Sequence, residues 1–254
     1  MPDCPLAVAS IAAALGPLAA RFDVGVIAAC ESTNTLLLAR AESAPSGTVI
    51  VAERQTAGRG RLGRSWHADP AASLTFSLLW RLPRGTVPSG LSLAVGVAVA
   101  EALQMFGIDD VALKWPNDIL RDGKKLGGIL IELSSGAAVI GIGLNVRLSP
   151  DLPDDVRGNA AALNRDVDRN ELLARLLASL HGVLAEFSAG GFGAVRERWL
   201  ALNAYAGAPV QILSGFSAPL VGRCAGVDTD GALLLETTSG VQRIISGDVS
   251  LRAL

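Results

Sequence analysis

Two apolar runs, residues 128–133 and 137–146, are parted only by Ser134-Ser135-Gly136. That length and turn composition specify a β-hairpin, and any sheet the chain builds has to accommodate it. Residues 24–29 and 48–52 are further short apolar strand candidates. Leu74, Phe76, Leu78 and Trp80 alternate with Thr75, Ser77 and Arg81, the pattern of a strand with two unlike faces. Helices come between. Leu91, Val95, Val99 and Leu103 recur every four residues, and Leu172, Leu173, Leu176, Leu177, Leu180 and Leu184 make a stripe behind an Asn170 cap. Ser32-Thr33-Asn34 offers N-cap chemistry for a helix through Leu36, Leu37 and Arg40, and residues 111–114 start another strand. An α/β (α+β) chain is expected, with a mixed sheet flanked by helices. Residues 150–167, rich in Pro, Asp, Asn and Gly, suit a functional or mobile connection. Beyond Asn203 short strands are expected at 210–213, 220–227, 232–236 and 241–245, with turns at Asp230-Gly231 and Ser239-Gly240. That spacing predicts a small β-barrel-like tail.

Bulk properties narrow the chemistry. A chain of 254 residues, 50% hydrophobic and 18% charged, can bury one large core and carry a small appendage. Its formal net charge of −2 argues against binding nucleic acid over the whole surface. Cys4, Cys30 and Cys224 are odd in number and far apart, so neither a disulfide framework nor a zinc site is expected. His67 and His181 stand in no metal-ligand or triad spacing. No Lys or Arg precedes Arg21 to make a signal peptide, and the apolar run 91–103 is too short to span a bilayer. A cytoplasmic protein without membrane, nucleic-acid or protein-held metal partners is expected, its chemistry resting on Lys, Arg, Asp or Asn.

Gly58-Arg59-Gly60-Arg61-Leu62-Gly63 has the spacing of a dinucleotide fingerprint. Such a fingerprint needs a helix opening from the glycines and an acidic residue about 20 positions on. Residues 64–70 are too irregular for a helix start, and no Asp or Glu lies between Asp69 and Glu101. What the loop does offer is backbone N–H groups beside the guanidinium forks of Arg59, Arg61 and Arg64, which suit carboxylate or phosphate oxygens. A solvated basic surface loop is the alternative. Recurrence favours a site: polar sets at 32–34, 55–64, 117–125 and Asn145 all fall at the ends of expected strands, where pockets form.

Taken in order, several segments resemble the motifs of biotin protein ligases, enzymes that activate biotin with ATP and attach it to a carrier lysine. They are Glu31-Ser32-Thr33-Asn34, residues 55–66 with their Gly-Arg-Gly-Arg core, Lys114-Trp115-Pro116-Asn117-Asp118, Lys125-Leu126-Gly127-Gly128-Ile129-Leu130 with Glu132, and Gly141-Ile142-Gly143-Leu144-Asn145-Val146. Gly247-Asp248-Val249-Ser250-Leu251-Arg252 resembles the end of that family's SH3-like domain. The resemblance implies a catalytic domain over 1–205, related to lipoate ligases, and an SH3-like β domain over 206–254. It implies ATP with Mg2+ and biotin as ligands, and the biotin carboxyl carrier domain of a carboxylase as partner; it leaves a homodimer open. Because it begins near Glu31, no winged-helix domain and no operator DNA are expected.

The family's roles carry over where the motifs match. Ser32, Thr33, Asn34 and Gln55, with the backbone at Gly58, Arg59 and Gly60, resemble the set around biotin, whose ureido ring needs mixed donors and acceptors. Trp66 and Gly128 belong to the same set, Trp66 as an apolar wall. Activation joins two anions, which at ~4 Å repel by about 1 kcal/mol in water and about 4 kcal/mol at an effective dielectric of 20. Arg61 and Lys125 match the cations that oppose this repulsion. Arg59, Arg64 and Arg121 are weaker candidates for the polyphosphate, and Asn117 and Asn145 resemble the residues around the adenine end. Asp118 is expected to orient the carrier lysine or take its proton. A lipoate or octanoate ligase or transferase of the same fold is the alternative, and it should present an apolar channel in place of the polar pocket at Ser32 and Gln55. A nucleotide-binding module without catalysis is the other, and it would release no pyrophosphate.

Overall fold

A computed structural model describes residues 5–214, 218–245 and 249–253. Its helices are α1 (Val8–Leu15), α2 (Thr33–Leu38), α3 (Leu91–Gln104), α4 (Asp154–Arg157), α5 (Arg169–Gly190) and α6 (Arg196–Ala201). Strands β1 (Asp23–Cys30), β2 (Thr48–Gln55), β3 (Ser73–Arg81), β4 (Val111–Lys114), β5 (Asp118–Arg121), β6 (Lys124–Ser134) and β7 (Ala137–Asn145) form a seven-stranded sheet in the order β1-β2-β3-β7-β6-β5-β4. The expected hairpin is β6–β7, paired from Gly127 with Leu144 to Ser134 with Ala137. β1 and β2 run parallel, joined through α2, while the remaining pairs are antiparallel. The sheet is therefore mixed.

Alternation along β3 and β7 gives that sheet two unlike faces. Leu74, Phe76 and Leu78 of β3 and Ile140, Ile142 and Leu144 of β7 are buried in the main core with α3 and α5. Each such side chain stabilises the fold by roughly 1.5–3 kcal/mol when fully buried. On the opposite face, Leu79, Val139 and Ile50 pack against Leu37 of α2. Farther along the same face the residues turn small or polar: Ser77 pairs with Gly141, and Thr75 with Gly143. A hollow forms there because nothing large projects from the strands.

Helix α5 has the length and hydropathy of a membrane span, yet its leucine stripe is buried, with α1 and α3 packed against it. Its cap differs from expectation. Asp168 accepts from the Asn170 N–H at 2.8 Å, while the buried Asn170 side chain holds residues 5–7, accepting from Ala7 N and donating to Pro5 O. Ser32 occupies the N-cap position of α2 without a side-chain cap bond; the Thr33 N–H goes to Gln55 Oε1 instead, at 2.7 Å.

The tail consists of β8 (Pro209–Ser214), β9 (Leu220–Val227), β10 (Leu233–Thr237), β11 (Gly240–Ile244) and β12 (Val249–Ala253), an antiparallel sheet ordered β11-β10-β9-β8-β12. Strand β12 was not among the expected elements, and Gly247 and Asp248 of the terminal motif lie outside the described residues. Val210, Cys224, Leu233, Leu235 and Leu251 of the tail belong to the main core. Trp115, 1% exposed, donates its indole N–H to Gly231 O at 3.1 Å, so the turn after β4 is fastened to the tail. Trp115→Phe should leave that carbonyl unpaired and lower stability by about 1–3 kcal/mol. An unchanged urea midpoint would show that the contact is dispensable.

Candidate active site

The hollow on the α2 face is floored by polar side chains that are almost entirely buried: Ser32, Thr33, Asn34, Gln55, Thr75 and Ser77. Burying such groups is tolerable only if each is hydrogen-bonded. Gln55 Oε1 accepts from both the N–H and the hydroxyl of Thr33, at 2.7 and 3.1 Å. Ser77 Oγ lies 2.8 Å from Thr33 Oγ1 and 2.5 Å from Asn34 Oδ1, and its single proton serves these two acceptors in turn. Asn34 Nδ2 donates to Glu132 Oε2 at 2.9 Å and to Leu130 O at 3.3 Å. Gly141 allows this, since a Cβ there would run into the Asn34 amide, with Cγ only 2.9 Å away.

The glycine-arginine segment arches over the floor as a hydrogen-bonded strap rather than a loose loop. Trp66 N donates to Gly58 O at 2.8 Å and Gly60 N to Arg64 O at 2.7 Å, which pairs the strap's two arms. At its tip Leu62 takes a left-handed conformation, φ 59°. Gly58 is packed so tightly against Gln55 and Trp66 that a Cβ would lie 2.8 Å from Gln55 Nε2. The Trp66 indole donates to Thr75 Oγ1 at 3.3 Å and packs against Gly143, where a Cβ would come within 2.6 Å of its Nε1. Arg59 anchors the strap through a 2.7 Å ion pair with Glu132, the same carboxylate that holds Asn34.

Charge collects at the other end of the cleft. The β4–β5 hairpin sets Lys114 opposite Asp118 in register, with the turn Trp115-Pro116-Asn117 between them. Lys114 Nζ lies 3.8 Å from Asp118 Oδ2, and Lys125 Nζ 2.5 Å from Asp118 Oδ1. Burial pulls the Lys114 ammonium's pKa below the usual lysine range; Asp118 opposes that shift, and Arg252, Lys125 and Arg64 add to it. Asn117 donates to Ile129 O at 2.8 Å and accepts from Arg61 Nη1 at 3.3 Å, which turns the tip of the strap toward this cluster. Among the described residues lining the cleft, the cations are Arg59, Arg61, Arg64, Lys114, Lys125 and Arg252, and the one carboxylate is Asp118.

Most residues expected at the site line this one cleft: Ser32, Thr33, Asn34, Gln55, Arg59, Gly60, Arg61, Trp66, Asn117, Asp118, Lys125 and Gly128. Gly58, in the first arm of the strap, packs against Gln55 and Trp66 and does not line the cleft. Arg121 and Asn145 do not line the cleft. Arg121 binds Asp110 and the carbonyls of Ala162 and Leu163, and Asn145 donates to Ala161 O at 2.9 Å. Both fasten residues 159–163 beside Lys125, whose own N–H donates to Asn159 O at 2.8 Å. Part of the connection expected to be functional or mobile, residues 159–163, is therefore pinned to the sheet. Thr75, Gly143, Lys114 and Arg252 join the expected residues at the site; the alternation on β3 and the terminal motif are the signals that point toward them.

Comparison with known proteins agrees with this geometry. The Biotin/lipoate A/B protein ligase family model matches residues 26–148, and the Biotin protein ligase C terminal domain model matches residues 207–252. The chain is 37% identical over 240 residues to the bifunctional ligase/repressor BirA of Salmonella typhimurium, covering 91% of this chain and 75% of that one. It is 34% identical over 232 residues to the biotin--[acetyl-CoA-carboxylase] ligase of Mycobacterium tuberculosis, covering 88% of this chain and 87% of that one. The biotin protein ligase from Aquifex aeolicus in complex with biotin and ATP superposes with a TM-score of 0.82 at 32% identity, over 91% of this chain and 99% of that one. With its polar floor, its strap and its cation cluster in one cleft, the chain belongs to the biotin protein ligase family.

Proposed function

We propose that the cleft joins the carboxylate of biotin to the α-phosphate of ATP, releasing pyrophosphate, and then passes the biotinyl group to a lysine of a carboxylase carrier domain, releasing AMP. The observation that carries this reading is the junction, in one cleft, of a buried polar floor with six lining cations and a carboxylate that two of them, Lys114 and Lys125, share. The floor supplies the donors and acceptors that a cyclic urea requires, through Ser32, Thr33 and Gln55, and Trp66 closes an apolar wall beside it. An apolar acyl chain such as lipoate has no use for that polar floor, which disfavours the alternative. Arg61 and Lys125 take the place between the two reacting anions. Fixed cations in a site shielded from water oppose their repulsion without having to reorganise as the reaction proceeds.

The remaining residues have supporting parts. Asn117 holds Arg61 toward the cluster, while Arg121 and Asn145 act by fixing residues 159–163 beside Lys125. Arg64 and Arg252 are suited to the polyphosphate. Mg2+ accompanies the nucleotide as part of the substrate: the donor set does not fit a resident metal, because the one carboxylate among the described residues lining the cleft, Asp118, is engaged by Lys125. Asp118 orients the carrier lysine for attack. A cytoplasmic enzyme without a nucleic-acid partner is the setting this reading assumes.

Two measurements test the reading. Mixed with ATP and biotin, the protein should release pyrophosphate and then label a biotin carboxyl carrier domain. Release that is independent of biotin, or that lipoate supports equally, contradicts it. Lys125→Gln should slow pyrophosphate release by about a hundredfold or more, the scale on which removal of a single preorganised charge-stabilising donor acts. A rate near wild type would remove Lys125 from the activation step.

A further inference from the structure

We propose that Lys114 is a positioning residue for the transfer step, holding Asp118 by one oxygen while Lys125 gives up the other. This rests on the two-step reading above. Two lysines share the Asp118 carboxylate, one per oxygen: Lys125 at Oδ1, 2.5 Å away, and Lys114 at Oδ2, 3.8 Å away. They are not equivalent. The Lys125 side chain is 41% exposed at the mouth of the cleft, whereas that of Lys114 is 12% exposed and held in the β4–β5 hairpin opposite Asp118. Lys125 can turn to a ligand; Lys114 cannot follow it.

The carboxylate and the phosphate compete with Asp118 for the Lys125 ammonium and pull it into the cleft, away from its 2.5 Å contact. Activation therefore draws Lys125 away from Oδ1 and exposes that oxygen to the cleft. If nothing else held the carboxylate, it would swing after the departing cation or toward Arg64 or Arg252, both of which line the same space. Lys114 prevents this because its charge has no acidic partner besides Asp118 among the cleft-lining residues, and the nearby Lys125, Arg64 and Arg252 repel it. The freed Oδ1 then becomes the acceptor for the N–H of the incoming carrier lysine. Formation of the adenylate thus uncovers the group that the next step needs, which imposes an order on the two half-reactions.

The test is a double-mutant cycle on the full chain with Lys114→Gln, Asp118→Asn and the pair, measuring the two half-reactions separately. Pyrophosphate release is followed with biotin and ATP, and transfer is followed in single turnover from preformed biotinyl-adenylate to a biotin carboxyl carrier domain. Lys114→Gln should lower the ratio of transfer to pyrophosphate release by roughly tenfold to a hundredfold, the scale of a misplaced reacting group. In the Asp118→Asn background the same change should cost nothing further in transfer, because it acts through Asp118. Lys114→Arg, which keeps the charge, should retain a ratio closer to wild type and decides the matter if the Gln variant fails to fold. An unchanged ratio in Lys114→Gln, full additivity with Asp118→Asn, or a ratio in Lys114→Arg as low as in Lys114→Gln would each overturn the proposal. Failure of the unmodified protein to release pyrophosphate with biotin would instead overturn the two-step reading.

Discussion

Six cations and one carboxylate line the cleft among the described residues, and two of the cations, Lys114 and Lys125, pair with that carboxylate, in a chain whose formal net charge is −2. Like charges so close together repel one another, so each must be fixed by something outside the cluster. Arg61 is turned inward by Asn117, which is itself bonded to Ile129. Lys125 is flanked by residues 159–163, which Arg121 and Asn145 secure. Lys114 is held by the hairpin whose Trp115 bonds into the tail. The cluster explains why the tail matters to the site: it contributes Leu251 and Arg252 to the lining and, at Gly231, the acceptor that steadies the hairpin.

The opposite end of the cleft depends on absence of bulk. Where β3 and β7 meet α2 the sheet face is closed by Leu79 and Val139, and two residues farther along Ser77 and Gly141 open it. Gly141 admits the Asn34 amide, Gly143 admits the Trp66 indole, and Gly58 lets the strap approach Gln55. A methyl group at Gly141 or Gly143 would displace the Asn34 amide or the Trp66 indole rather than merely tighten a packed core. The floor and the cation cluster thus share one surface: small residues make the recess, and the strap carries Arg59 and Arg61 across its top.

Much of this was legible in the residues, and the gaps have physical causes. The β6–β7 hairpin, α3 and the stripe of α5 follow from periodicity because each buries an uninterrupted apolar face. Strand β5 escaped notice because only Ile119 and Leu120 of its four residues are apolar, its polar ends Asp118 and Arg121 being committed to ion pairs. Asn170 looked like a cap from its position before the leucines, but burial gave its amide better partners and left the cap to Asp168. The residues at Gly58, Arg61, Asp118 and Lys125 announced themselves by motif. Thr75 and Gly143 became meaningful only in register with each other, and Lys114 only once its burial and its share of Asp118 were visible, because these are properties of the folded sheet.

In the proposed reaction the two ends of the cleft hold one acid against one phosphate, with Lys125 between them. The most direct measurement of this arrangement is a crystal structure with biotin and a non-hydrolysable ATP analogue bound together. In that complex the ureido ring is expected on the Thr33–Gln55 floor, with Lys125 Nζ parted from Asp118 and within hydrogen-bonding distance of both the carboxylate and the α-phosphate. Lys125 still paired with Asp118 in that complex, or a carboxylate directed away from the cation cluster, would contradict it.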